Sequence, residues 1–260
     1  MGNRGWKGLN AIWPSLLLVI ILFAVWQLSV DGGLVPEWQL PSPTTIVNEM
    51  VEVWPRLMDN SSATIELALI GFVGGALAGF ILAAILHLIP LIRKAVYPLL
   101  VVSQNVPVIA IGPILTIWLG YGILPKLILV WIVCFFPVSV AILNGFKDTD
   151  PTLRNYMQMI GADKWRLFIR LELPNAVTHL FSGLKIAASY SVLSAVVAEW
   201  LGADKGLGHY MILSSKGYEP ARVFAAVFLI VLLSLALFGL VALIERLVIR
   251  WRPVRGAGRT

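Results

Sequence analysis

Asp150 to Pro174 reads DPTLRNYMQMIGADKWRLFIRLELP, and its caps and breaks outline a helical hairpin. Asp150 followed by Pro151 is an N-cap with proline at the first helical position, where its missing N–H costs nothing. A helix is predicted from Pro151 to Ile160, ended by Gly161 in the left-handed conformation that glycine adopts freely. Asp163 caps a second helix in the same way. On that helix Trp165, Phe168 and Leu171 share one face, while Lys164, Arg166 and Arg170 stay in water. Pro174 is expected to break it. The result is a helix–glycine–helix hairpin over about 147–174, with apolar knobs suited to docking on another protein.

Outward from the hairpin the chain becomes almost free of charge. Leu127 to Phe146 holds 20 uncharged residues before it, and Val223 to Ile244 holds 22 after it. Gly8 to Val30 and Ala95 to Pro125 are also uncharged, and Leu67 to Ile92 carries only His87. A bilayer core about 30 Å thick needs roughly 20 apolar residues per helix. The charged fraction is 13%, against about 25% in ordinary soluble domains, and 58% of residues are hydrophobic. This excludes a water-soluble globule and a disordered chain, and a single cysteine, Cys134, excludes a disulfide scaffold. An all-α polytopic membrane protein is expected, with spans at about 10–30, 64–87, 95–119, 125–145, 177–200 and 222–246 in one domain, 1–260. The fifth span is the least apolar, because Lys185 lies inside it. A lysine stem long enough to reach the interface accommodates that charge. The first window follows Arg4 and Lys7, but it is longer than a signal-peptide core and has no cleavage pattern, so it is read as an uncleaved anchor.

Basic residues set the orientation. With the N-terminus in the cytoplasm, 14 of the 20 Lys and Arg face inside, five of them on the hairpin segment, and only 5 face outside. By the positive-inside rule both termini are cytoplasmic. The net charge of +6 is therefore an address more than a sign of nucleic-acid binding.

Several features inside the spans invite two readings. Gly71, Gly75 and Gly79 form overlapping small-xxx-small spacings, which serve either packing within the chain or a dimer contact. The window 95–125 is punctuated by Pro98, Pro107 and Pro113, so it is expected to kink. Ser103, Gln104 and Asn105 beside Pro107 either line a pathway or bond a neighbouring helix. Glu199, at the outer end of the fifth span, is either functional or paired with Lys205 or backbone donors. His87, His179 and His209 are scattered, and no spacing suits a metal. Ser182 and Lys185 match S-x-x-K, but the other motifs of a serine–lysine enzyme are missing. No catalytic residue is assigned. The chain also lacks G-x-x-x-x-G-K-[ST], so it has no loop of that type to cradle nucleotide phosphates.

Gly161, nine residues, then Leu171-Glu172-Leu173-Pro174 resembles the loop signature of binding-protein-dependent ABC transporter permeases: Glu-Ala-Ala, three residues, Gly, nine residues, Ile-x-Leu-Pro. Gly161 to Phe168 is similar to that family, as are Val197 to Ala203 and Gly206-Leu207-Gly208. Gln104 to Pro107, with Trp118 to Gly122, resembles its nitrate, sulfonate and taurine branch. Trp200 to Tyr210, Gly217 to Pro220 and Arg222 to Ala226 look most like members that carry thiamine-precursor pyrimidines. The resemblance covers about residues 60–250. One departure is clear, since Asn155, Tyr156 and Met157 stand where the signature has Glu-Ala-Ala.

The resemblance implies a six-helix permease of the type I ABC importer fold, in a bacterial inner membrane. Its implied partners are a second permease subunit, expected as a homodimer, two ATP-binding subunits and an extracytoplasmic solute-binding protein. Neither a cofactor nor a metal is expected on this chain, because the partners bind the ATP. The coupling residues are then Asn155, Tyr156, Met157, Gly161, Ala162, Asp163, Leu173 and Pro174. Ser103, Gln104, Asn105 and Glu199 are the pathway candidates. The expected function is import of a small solute, with no catalysis by this chain. A secondary transporter or channel is the alternative, but that class usually carries ionisable residues near the midplane.

Overall fold

The computed structural model describes the backbone of residues 4–249 and the side chains of 13–249. Arg250, Arg252, Arg255 and Arg259, which enter the orientation argument, lie outside the described residues. Among the described residues every regular element is helical. In order these are α1 (Arg4–Asp31), α2 (Pro43–Glu52), α3 (Trp54–Leu88), α4 (Pro90–Ser103), α5 (Val108–Leu119) and α6 (Ile123–Lys147). There follow α7 (Pro151–Met159), α8 (Lys164–Leu167), a π-helical turn (Phe168–Glu172), α9 (Leu173–Glu199), α10 (Leu207–Lys216) and α11 (Pro220–Val248). Helix is the one open structure that satisfies every backbone group inside lipid. Five segments are long and apolar enough to cross a membrane, and α4 with α5 forms a further pair bent by 105°.

That bend is sharper than a proline kink. Proline disfavours helix at the residue before it, and α4 ends at Ser103, three residues before Val106, the residue that precedes Pro107. The Asn105 side-chain amide donates to the carbonyls of Val101 and Val102, closing the end of α4. Pro107 then serves as the N-cap of α5, where its lack of an N–H is harmless.

The chain divides into two compact units. In the unit formed by residues up to 59 and 210–229, α1 packs on the start of α11 through Trp26, whose ring is 6.1 Å from Phe224 and 6.5 Å from Phe228. Gln27 ties α1 to α2 by hydrogen bonds to Thr44. Arg222 holds Glu49 at 2.6 Å and Glu219 at 2.5 Å.

The other unit, 60–209 with 230 onward, has α6 and α9 at its centre. Gly183 brings the two backbones together, since a Cβ there would lie 2.9 Å from the Pro137 carbonyl oxygen. Ala187, Ala188, Ser191 and Ala195 of α9 are fully buried. This explains the weak apolar signal of the fifth span. Half of its most apolar window is shielded by protein, against 6% for α1, so α9 tolerates serines that a lipid-facing helix would not.

Pro174 does not break the hairpin's second helix. The helix runs on from Lys164 to Glu199. The π-helical turn absorbs the proline, because the Leu173 N–H already reaches back five residues to the Phe168 carbonyl. The i→i−4 ladder is thus interrupted just ahead of the residue that cannot donate.

Lys185 does not rely on an aqueous interface alone. Its Nζ lies 2.7 Å from Glu245 Oε2 on α11, and both side chains are largely buried. Removing one partner of a buried pair costs about 3–5 kcal/mol, and partial exposure here brings that to roughly 2. Lys185→Met is expected to lower the melting temperature of the detergent-solubilised protein, and Lys185→Met/Glu245→Gln to recover most of the loss. Unchanged melting in the single variant would remove the pair from the stability of this unit.

Candidate functional site

The hairpin folds as its caps dictate. The Thr152 N–H donates to Asp150 at 2.7 Å and the Arg166 N–H to Asp163 at 2.8 Å. Gly161 has φ +83°, and the Gly161 and Ala162 N–H groups bond back to the carbonyls of Gln158 and Met157. This double closure ends α7 and needs a left-handed residue at position 161. Asn155, Tyr156, Gly161, Asp163 and Pro174 are exposed, while Met157, Ala162 and Leu173 are half-buried. No residue of α7 is buried. Leu153, Tyr156, Met159, Ile160 and Trp165 are all more than half exposed, Met159 by 79%. Three of these apolar side chains stand on α7, one at its C-cap and one on α8, so the hairpin presents an exposed apolar patch.

The hairpin root holds a cluster that the sequence reading missed. Glu172 is buried, with Oε2 at 2.5 Å from His87 Nε2 at the end of α3, and its Oε1 accepts a hydrogen bond from Arg154 on α7. The His87 ring is stacked 4.3 Å from Phe146 and 5.9 Å from Phe168. The available signal was a lone carboxylate between Leu171 and Leu173 in an apolar frame. Its partner His87 is 85 residues away, so no local pattern joins them.

A cavity of about 780 Å³ opens beside the α4–α5 bend. Ser103 and Gln104 line it, with Pro107, Phe136, Tyr190, Ser194 and Trp200, and none of its lining residues is charged. Asn105 is turned onto the α4 carbonyls and is not part of the wall. Glu199 is also outside the lining and is 2% exposed. The Gly208 N–H donates to its Oε2 at 2.7 Å. Gly206 crosses so close that a Cβ there would lie 2.2 Å from the Glu199 Cδ, at a φ of +125°. The same loop is pinned to α3 by Leu207 N–H to Thr64 at 2.8 Å and Gly206 N–H to Asn60 at 3.1 Å. The structure thus places Glu199 as the centre of a turn and brings Ser103 and Gln104 together at a cavity. Among the described residues no cluster of three His, Cys, Asp or Glu has the placement to hold a metal.

Residues 61–250 match the family model described as a binding-protein-dependent transport system inner membrane component. The formylaminopyrimidine transport permease protein ThiX of Halalkalibacterium halodurans is 32% identical over 247 residues, covering 95% of this chain and 98% of that one. The putative aliphatic sulfonates transport permease protein SsuC of Bacillus subtilis is 28% identical, covering 92% and 87%. In fold, the chain is similar to a subunit of a bacterial alginate ABC transporter solved with its alginate pentasaccharide-bound periplasmic protein. The TM-score is 0.61 at 16% identity, over 95% of this chain and 99% of that one.

Proposed function

This chain belongs to the family of binding-protein-dependent transport system inner membrane components, as the permease subunit of an ATP-driven importer of a small solute, and we propose that this solute is an uncharged nitrogen heterocycle of the formylaminopyrimidine kind. The uncharged lining of the 780 Å³ cavity carries this reading. Nitrate or a sulfonate crossing an apolar cavity would leave its negative charge unpaired, which is costly in a low-dielectric medium. A neutral heterocycle needs flat apolar faces and a few hydrogen bonds. Phe136, Tyr190 and Trp200 provide the first, and Ser103, Gln104 and Ser194 the second. The similarity to ThiX supports the same solute class.

The whole chain, 1–260, then acts as one permease domain in the inner membrane, crossing it six times with the α4–α5 pair as one broken span and both termini cytoplasmic. Two copies pair, two ATP-binding subunits dock on the hairpins, and a binding protein delivers solute from outside. Tyr156, Met157 and the turn at Gly161 to Asp163 form the docking surface, and the exposed apolar side chains of α7 support this. ATP stays on the partner subunits, and this chain needs no cofactor.

The test is uptake by the assembled transporter in proteoliposomes, with a radiolabelled aminopyrimidine and an alkanesulfonate offered separately. Uptake of the aminopyrimidine alone is expected. Trp200→Ala and Gln104→Leu should each slow it about tenfold, the scale of a lost pocket contact, with ATP hydrolysis retained. Uptake of the sulfonate without the aminopyrimidine overturns the assignment.

A further inference from the structure

Three elements meet on the carboxylate of Glu172. His87 lies in the last turn of α3, Arg154 in α7, and Glu172 ends the π-helical turn that leads into α9. The Glu172 side chain is 5% exposed and that of His87 13%. A buried carboxylate persists where it is paired, and this one is held from two sides. Stacking on Phe146 and Phe168 fixes the His87 ring, so Nε2 stays on the carboxylate.

The geometry goes further than anchoring. Because α7 buries none of its residues, its own packing is a weak route for force into the membrane helices. Its ion pair with Glu172 is the one ion pair that α7 makes among the described residues. The Arg154 Nε is buried with no hydrogen-bond partner among those residues, so the guanidinium is not fully satisfied in this arrangement. Members of a buried polar network are coupled, so displacing one of them disturbs the others. The π-helical turn beside it departs from regular helix at the same point, as such turns often do at functional sites.

We propose that Glu172 is the joint that carries movement of the α7 hairpin into membrane helices α3 and α9, with Arg154 and His87 as its positioning partners. The proposal rests on the reading above that ATP-binding subunits drive this chain through the hairpin. Displacement of α7 draws Arg154, Arg154 draws Glu172 and the π-helical turn at the root of α9, and His87 passes the same movement to the end of α3.

The test follows each helix separately in the assembled transporter, without any transported solute. An environment-sensitive bimane label is attached at Gln158→Cys on α7 or at Ile85→Cys on α3, both exposed positions, and native Cys134 is buried. Trapping with ATP and vanadate is expected to shift both labels when the joint is intact. With Glu172→Gln or His87→Leu, the Gln158 label still shifts and the Ile85 shift is lost. His87→Gln, which keeps a donor toward the carboxylate, restores it. A purely structural role would reduce the yield of assembled transporter and leave the two labels moving together. The joint is overturned if the Ile85 label shifts as fully in Glu172→Gln and His87→Leu, if it never shifts while the Gln158 label does, or if neither variant assembles. Failure of both labels to respond in the otherwise native assembly overturns instead the reading that the hairpin is driven by ATP.

Discussion

Gly161→Pro is expected to abolish solute uptake while leaving the permease folded and inserted in the membrane. Gly161 sits at φ +83°, and proline is confined near −65°. The substitution also deletes the N–H that bonds the Gln158 carbonyl at 3.0 Å. Proline disfavours helix-like conformations in the residue before it, and Ile160 is held at φ −84° and ψ 11°. The bond from Ala162 to Met157 falls with the same turn. A misplaced proline costs about 3 kcal/mol or more, which corresponds to roughly a hundredfold in any step that depends on the turn. The damage stays local, because α7 is exposed and carries none of the packing between α6 and α9.

Gly161→Ala is the matching control. Nothing lies within 4 Å of an added Cβ, so alanine meets only the left-handed penalty of about 1–2 kcal/mol. Uptake and ATP hydrolysis are measured together in proteoliposomes. The proline variant should lose the stimulation of ATP hydrolysis by loaded binding protein as well as uptake, and the alanine variant should keep a measurable part of both, reduced by about five- to thirtyfold at most on the same conversion. Normal uptake by Gly161→Pro would remove the hairpin turn from the coupling route.

The hairpin was legible because its determinants are local. Asp150, Gly161 and Asp163 each act within a few residues, through caps whose chemistry is readable in a line of sequence. The long windows were legible for a similar reason, since lipid demands an unbroken run of uncharged residues. Departures arise where distant groups decide. Pro174 looked like a break because the π-helical turn that accommodates it depends on packing around Phe168. In the window 95–125 a kink was readable from its prolines but the 105° bend was not, because the Asn105 bonds that close α4 are not encoded by apolar periodicity. Lys185 looked like a lysine reaching for water because Glu245 is 60 residues on. At the cavity, Ser103 and Gln104 were readable as polar residues beside a proline, but Tyr190 and Trp200 come from another helix and belong to the wall only once the chain has folded.

Gly75→Leu should cost the folded protein itself, the largest stability effect of any single change here. The spacing of Gly71, Gly75 and Gly79 was open between a contact inside the chain and a contact between copies. In the structure the stripe faces α6. A Cβ on Gly71 would lie 2.3 Å from Val130, one on Gly75 would lie 2.7 Å from the Trp131 carbonyl oxygen and from Cys134, and one on Gly79 would lie 2.7 Å from the Phe135 carbonyl oxygen. Two of these obstacles are backbone, which cannot rotate away as a side chain can. The Ser139 hydroxyl, donating to the Gly79 carbonyl at 3.1 Å, fixes the two helices at that distance. Even one extra methyl in a close-packed core costs about 1–3 kcal/mol, and leucine adds four carbons where not one fits. The helices must separate, and Cys134, which meets the new side chain and also bonds the Ala187 carbonyl, carries the disturbance into the α6–α9 packing. Gly75→Leu is therefore expected to be degraded or aggregated on expression, whereas Gly239→Leu, with nothing within 4 Å of its Cβ, should accumulate normally. Fluorescence-detected size-exclusion chromatography separates the two outcomes. A monodisperse Gly75→Leu peak at normal yield would mean that α3 and α6 do not approach at this stripe, and would return the glycines to a contact between copies.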